Sequence, residues 1–177
     1  MTAPPWQDGV YAALKNAGVR QIAYVPDAGH SRLIELAHAD NDMNVVVCTT
    51  EEEGVAMAAG AHLGGQRACL LMQSSGVGNT INMVGLPTTM RAPFLTLITM
   101  RGEWGEFNGW QIPMGQATET VLSAMGVQVK RADRADEVVD MVAAAAYLAF
   151  HSAIPVAVLF SQRLIGAKVF VKPEDAK

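Results

Sequence analysis

Residues 45–62 read Val-Val-Val-Cys-Thr-Thr-Glu-Glu-Glu-Gly-Val-Ala-Met-Ala-Ala-Gly-Ala-His, a strand that runs directly into a helix. The run 45–48, with three β-branched valines, suits a strand. Glu51, Glu52 and Glu53 then open a helix whose positive end favours carboxylates, and Val55, Ala58, Ala59 and His62 fall on one face. This helix is small-sided. Gly54, Ala56, Ala58, Ala59, Gly60 and Ala61 carry so little bulk that another helix or a sheet can approach closely.

The same strand-then-helix unit recurs on both sides of this stretch. Trp6, Val10, Leu14 and Ala17 form one face of a first helix, ended by Gly18 in the left-handed region. A strand at 21–25 follows, then a loop at Pro26-Asp27-Ala28-Gly29 and a helix at 32–39 with Leu33, Leu36 and Ala37 inward. Further strands are expected at 68–72, 94–99, 127–129 and 154–160. Residues 73–80 read as a loop, followed by a helix from about Asn79 that carries Ile81 and Val84 inward and bends or ends near Pro87. Residues 101–114, polar and punctuated by Trp and Gly, form a candidate lid or binding loop. A helix at 116–125 comes next. Another, capped by Asp133, turns Val138, Val142, Ala145 and Ala149 inward. Such alternation predicts an α/β fold: a single domain over 1–177, a six-stranded parallel sheet with helices on both faces, and a C-terminal tail at 163–177.

Composition narrows the function classes. The chain has 177 residues, 50% hydrophobic, enough for a core that needs neither disulfide nor structural metal. Its net charge is −4 and no stretch concentrates Lys and Arg, so a nucleic-acid groove is not expected. Cys48 and Cys69 lie in apolar runs without metal-ligand spacing and read as reduced core thiols of a cytoplasmic protein. The apolar run 141–150 is about half a bilayer span, and residues 1–8 lack the pattern of a secretory signal.

Ligands of open parallel sheets bind at the carboxyl ends of the strands. Those ends carry Pro26-Asp27, Thr50-Glu51, residues 73–79 and Met100-Arg101. Glu51 is the sharpest residue, because its place between an apolar strand and an Ala-rich helix is largely dehydrated. Glu52 and Glu53 read as partners of the helix dipole. Ser75-Gly76-Val77-Gly78-Asn79-Thr80 has two glycines of a dinucleotide fingerprint, but Ile81 stands where the third belongs. Close backbone approach to a ligand remains open there. No Gly-x-Ser-x-Gly elbow supports a hydrolase. Of the four histidines, His30 alone sits beside the ligand edge.

Taken together, Val25-Pro26-Asp27, Thr50 to Gly60 and Met72 to Thr80 resemble the pyrimidine-binding domain of thiamine diphosphate enzymes. Arg101-Gly102-Glu103, Gln111-Ile112-Pro113-Met114-Gly115 and Ala117-Thr118 sharpen the likeness, which is closest to sulfopyruvate decarboxylase alpha subunits and next to phosphonopyruvate decarboxylases. In that family a glutamate lies nine residues before a helix glycine, and Gly60 selects Glu51. The resemblance implies that Glu51 hydrogen-bonds N1′ of the cofactor's aminopyrimidine, so that its 4′-nitrogen can remove the C2 proton. It also implies cofactor contacts from Pro26, Gly76 and Asn79, and substrate contacts from His30, Ser75, Asn79 and Arg101.

The diphosphate and its Mg2+ are held in that family by a Gly-Asp-Gly segment with a later Asn pair, which this sequence lacks. The resemblance therefore implies half an active site, completed by a separate beta subunit in a hetero-oligomer, with the small-sided helix part of the interface. The implied reaction is decarboxylation of a small anionic 2-oxo acid such as sulfopyruvate to carbon dioxide and an aldehyde. The sequence departs from the family where Ala28-Gly29-His30 replaces a segment usually begun by Ser, and where Ser74 stands in place of a frequent Asn. Phosphonopyruvate, a carboligation, and a non-catalytic ligand-binding module of the same fold remain alternatives.

Overall fold

Strands that are buried along their whole length belong in the middle of a parallel sheet, where helices cover both faces. Phe94–Thr99 and Pro155–Phe160 are such strands, buried at every residue. In the computed structural model, which describes residues 5–167, they are β4 and β6 of one six-stranded sheet. The others are β1 (Val19–Tyr24), β2 (Asn44–Val47), β3 (Arg67–Gln73) and β5 (Gln128–Ala132). The order is β2-β1-β3-β4-β6-β5, with every neighbouring pair parallel. Edge strands β2 and β5 are mostly exposed or half-buried, as their position requires.

Two cores flank the sheet. On one face α1 (Trp6–Asn16), α2 (Ser31–His38) and α7 (Val138–Ser152) pack through Val10, Leu14, Leu33, Val142 and Ala146. The other face is covered by α3 (Glu51–Leu63), α4 (Ser74–Thr80), α5 (Gly85–Met90) and α6 (Gln111–Ala124), with Val55, Val77 and Leu122 inward. Each fully buried aliphatic side chain contributes about 1.5–3 kcal/mol over its exposed state. The close approach expected of the small-sided helix is realised at Gly54, where a Cβ would overlap Leu70 of β3.

The chain passes from β1 to β2 on one side and returns to place β3 on the other, so the direction of winding reverses between β1 and β3. This switch opens a crevice at the carboxyl edge, where helices on the two faces diverge. The ends of β1, β2 and β3 deliver Pro26-Asp27, Glu51 and residues 74–80 to it.

Several boundaries differ from the sequence reading. Residues 74–80 are a short helix, α4, not a loop, and a turn at 81–84 separates it from α5, which contains Pro87. The loop after β4 ends at residue 110, because α6 begins at Gln111 and tolerates Pro113 in its first turn, where an N–H has no intrahelical acceptor. Asp133 does not cap α7; it pairs with Arg131, while Glu137 precedes the helix and accepts from the Asp133 and Arg134 amides. The expected tail at 163–177 begins inside α8 (Gln162–Ile165), and its residues from 168 onward lie outside the described residues.

Candidate active site

The three acids that open α3 separate by environment. Glu52 is exposed, and Glu53 turns back so that its Oε2 accepts from the Thr49 amide at 2.7 Å. Glu51, the first residue of the helix, is 7% exposed and points along the edge towards α4. There its carboxylate lies against Gly76, where an added Cβ would overlap Oε1, and its Oε2 accepts from Asn79 Nδ2 at 2.9 Å. Where the sequence left open a close approach of backbone to ligand, the group against the Gly76 backbone in this structure is a carboxylate of the same chain.

Beside this pair lies a network that the sequence reading did not single out. Asp27, after β1, accepts from Gln73 Nε2 at 2.8 Å through Oδ1, and from Thr99 Oγ1 at 2.6 Å and the Gly29 amide at 3.1 Å through Oδ2. Ser75 Oγ donates to Gln73 Oε1 at 2.9 Å. The carboxyl ends of β1, β3 and β4 are therefore pinned together, with Ser75 oriented from below and Pro26 exposed alongside. Ser74 is fully buried and accepts from the Arg101 amide at 3.0 Å, tying β3 to β4.

His30 and Arg101 do not join the cluster. The His30 ring is 1% exposed, stacks edge-on against Phe160, and spans the Met72 and Leu97 carbonyls at 3.3 and 3.1 Å through Nε2. Both carbonyls only accept, so Nε2 carries the proton. Burial lowers the ring's pKa, which keeps it neutral. Arg101 forms a bidentate pair with Glu106, both bonds 2.6 Å, and the two side chains are 8% and 3% exposed. The pair engages the Nε–Nη2 edge of the guanidinium and neutralises its charge within the chain. In this structure His30 is turned into the core and Arg101 is paired within its own loop.

The Arg101–Glu106 pair also decides the character of the loop 101–110. Glu106 accepts in addition from the Gly102 and Asn108 amides and from Gln162 Nε2, and a Cβ on Gly115 would overlap the Arg101 carbonyl. The loop read as a candidate lid or binding loop is fastened at its base by these contacts. Nothing in the sequence spacing marks Glu106 as the partner. Trp104, Trp110 and Ile112 are nevertheless exposed, at 55%, 83% and 42%.

The cavity at the carboxyl edge is small, about 140 Å3 between Asp27, Gly29, Arg101 and Ile165. A groove of about 600 Å3 between α1 and α7 is larger, but it lies across the sheet from Glu51. Cys48 and Cys69 are buried free thiols with raised pKa, chiefly through burial, as expected of core residues. Among the described residues no group of three or more His, Cys, Asp or Glu is placed to hold a metal, and no helix is long and apolar enough to cross a membrane.

A doubly wound parallel sheet with one buried carboxylate at its switch point defines a cofactor-binding α/β domain. The family described as pyruvate flavodoxin/ferredoxin oxidoreductase, thiamine diphosphate-binding, matches residues 12–176. The chain is 35% identical over 153 residues to the sulfopyruvate decarboxylase subunit alpha of Methanococcus maripaludis, covering 86% of this chain and 92% of that one. It is 32% identical to a phosphonopyruvate decarboxylase of Streptomyces viridochromogenes, over 87% of this chain and 40% of that one. A solved 2-oxoglutarate:ferredoxin oxidoreductase from Magnetococcus marinus superposes with a TM-score of 0.75 at 17% identity, covering 97% of this chain and 32% of that one, which shows a shared fold. The chain belongs to the thiamine diphosphate-binding domain family, among the relatives of sulfopyruvate decarboxylase alpha subunits.

The donor set is compatible with the pyrimidine of that cofactor. Glu51 is a buried carboxyl group with one hydrogen bond among the described residues, to Oε2, which leaves Oε1 to share a proton with a ring nitrogen.

Proposed function

We propose that this chain is the pyrimidine-binding subunit of a cytoplasmic, thiamine diphosphate-dependent decarboxylase that converts a small anionic 2-oxo acid such as sulfopyruvate to carbon dioxide and an aldehyde. The observation that carries this reading is the Glu51 carboxylate, buried at the switch point against Gly76 and held by Asn79. When bound, the cofactor supplies the carbanion chemistry that accepts the electron pair left by carbon dioxide.

The chain's own part is to bind, orient and move a proton. Glu51 holds a proton against the ring nitrogen of the pyrimidine from a site that α3 and α4 shield from water. Pro26 and Gly76 line the pyrimidine side of the cleft, Ser75 faces the substrate, and Asn79 holds the Glu51 carboxylate between them. With Arg101 bound to Glu106 and His30 turned into the core, neither is assigned to the substrate's second anionic group. A separate beta subunit holds the diphosphate and Mg2+ in a hetero-oligomer, a reading supported by the alpha-subunit names of the relatives and by the missing Gly-Asp-Gly segment. The small residues left exposed on α3, Ala56 and Gly60, form part of the contact.

Glu51→Gln in the assembled complex tests the reading. Turnover of sulfopyruvate, measured beside phosphonopyruvate, is expected to fall on the order of 10²–10⁴-fold with an unchanged melting temperature. Turnover at the parent rate would remove Glu51 from the chemistry.

A further inference from the structure

Glu51 reaches the crevice on a flexible stem, yet proton transfer requires its carboxylate in one orientation. Gly76 and Asn79 are three residues apart and lie on one face of α4. The absent Cβ at Gly76 admits the carboxylate, and the Asn79 amide catches it. That bond, 2.9 Å from Nδ2 to Oε2, is the only hydrogen bond made by the Glu51 side chain among the described residues. A carboxylate accepts and an amide NH2 donates, so the pair matches in only one sense.

We propose that Asn79 is a positioning residue, which fixes the Glu51 carboxylate for its exchange with the pyrimidine nitrogen through the Nδ2–Oε2 bond. The inference rests on the reading of Glu51 given above. It assigns Asn79 a role exerted through Glu51, distinct from contact with cofactor or substrate.

Three substitutions separate donor chemistry from bulk. Asn79→Ala leaves the carboxylate unheld, and Asn79→Asp keeps the shape but sets acceptor against acceptor. Asn79→Gln returns an NH2 donor on a stem one methylene longer. Asn79 is exposed, so all three are expected to melt within about 2 °C of the parent.

In the complex loaded with thiamine diphosphate and Mg2+, the C2 proton exchange of the bound cofactor is followed by quenched NMR, and cofactor affinity by calorimetry. Asn79→Ala and Asn79→Asp are expected to slow exchange about 10–100-fold, the scale of a misplaced catalytic group, with the cofactor Kd within about threefold. Asn79→Gln is expected to recover part of the rate. In the chain alone, labelled with 15N, the Asn79 side-chain amide signals are expected to move on Glu51→Gln.

Exchange at the parent rate in Asn79→Ala, a Kd that weakens in step with exchange, or amide signals indifferent to Glu51→Gln would each overturn the inference. Glu51→Gln in the same exchange assay keeps the two readings apart. Normal exchange there brings down the role of Glu51 itself. Slow exchange there with normal exchange in Asn79→Ala brings down only the role of Asn79.

Discussion

A single hydrogen atom at position 76 decides whether Glu51 can occupy its place. Gly76→Ala would put a methyl group into the Glu51 carboxylate, which must then rotate out of the crevice or push α4 away from α3. Overpacking of this kind costs about 1–3 kcal/mol, and a displacement on the order of 1 Å at the reacting group costs roughly 10² in rate. Gly76→Ala is therefore expected to lower both the melting temperature and the turnover of the assembled complex. Full turnover in that variant would show that Glu51 works from elsewhere. Much of this was legible in the sequence: the position of Glu51 between strand and small-sided helix, its separation from Glu52 and Glu53, and a close approach at Gly76. The direction of side chains was not. Nothing in the pattern around His30 distinguishes a ring that spans two strand carbonyls from one that faces a cleft, because that choice is made by β3 and β4, far away in the chain.

Among elements, the strands were legible to within a few residues, since runs such as 94–99 and 154–160 are rich in apolar and β-branched residues and bounded by turns. α4 was not. Its Ser, Gly and Asn residues carry turn chemistry, and it is helical because Val77 is buried between α3, α6 and the sheet, a tertiary contact that overrides local preference. The fastening of the strap 101–110 was not legible either, for it depends on Arg101 meeting Glu106 in the folded chain. That fastening has a pH signature. The hydrogen bonds from Arg101, followed by the opposing effect of burial and then help from the Asn108 and Gly102 amides and Gln162, bring the Glu106 pKa down from 4.5 to about 2. A folded-state value below the unfolded one means that the contribution to stability is complete above about 4.5 and is lost as pH falls towards about 2. Melting curves of the parent and Glu106→Gln across that window are expected to converge as the pH drops. A gap that stays constant would mean that the carboxylate contributes nothing through its charge.

At the scale of the whole molecule, the order β2-β1-β3-β4-β6-β5 puts Glu51, Asp27 and α4 around one crevice at the reversal of winding. The crevice offers a carboxylate and an amide for a pyrimidine. The phosphonopyruvate decarboxylase relative aligns with this chain over 40% of its own length, so most of that chain lies outside the match. On this account the chain is half of a site, and the most direct test is calorimetric titration of thiamine diphosphate with Mg2+ into the chain alone and into its mixture with a candidate beta subunit. Tight binding in the mixture and none to the chain alone is the expected result. Tight binding to the chain alone, or none to an assembled complex that forms stably, would contradict it.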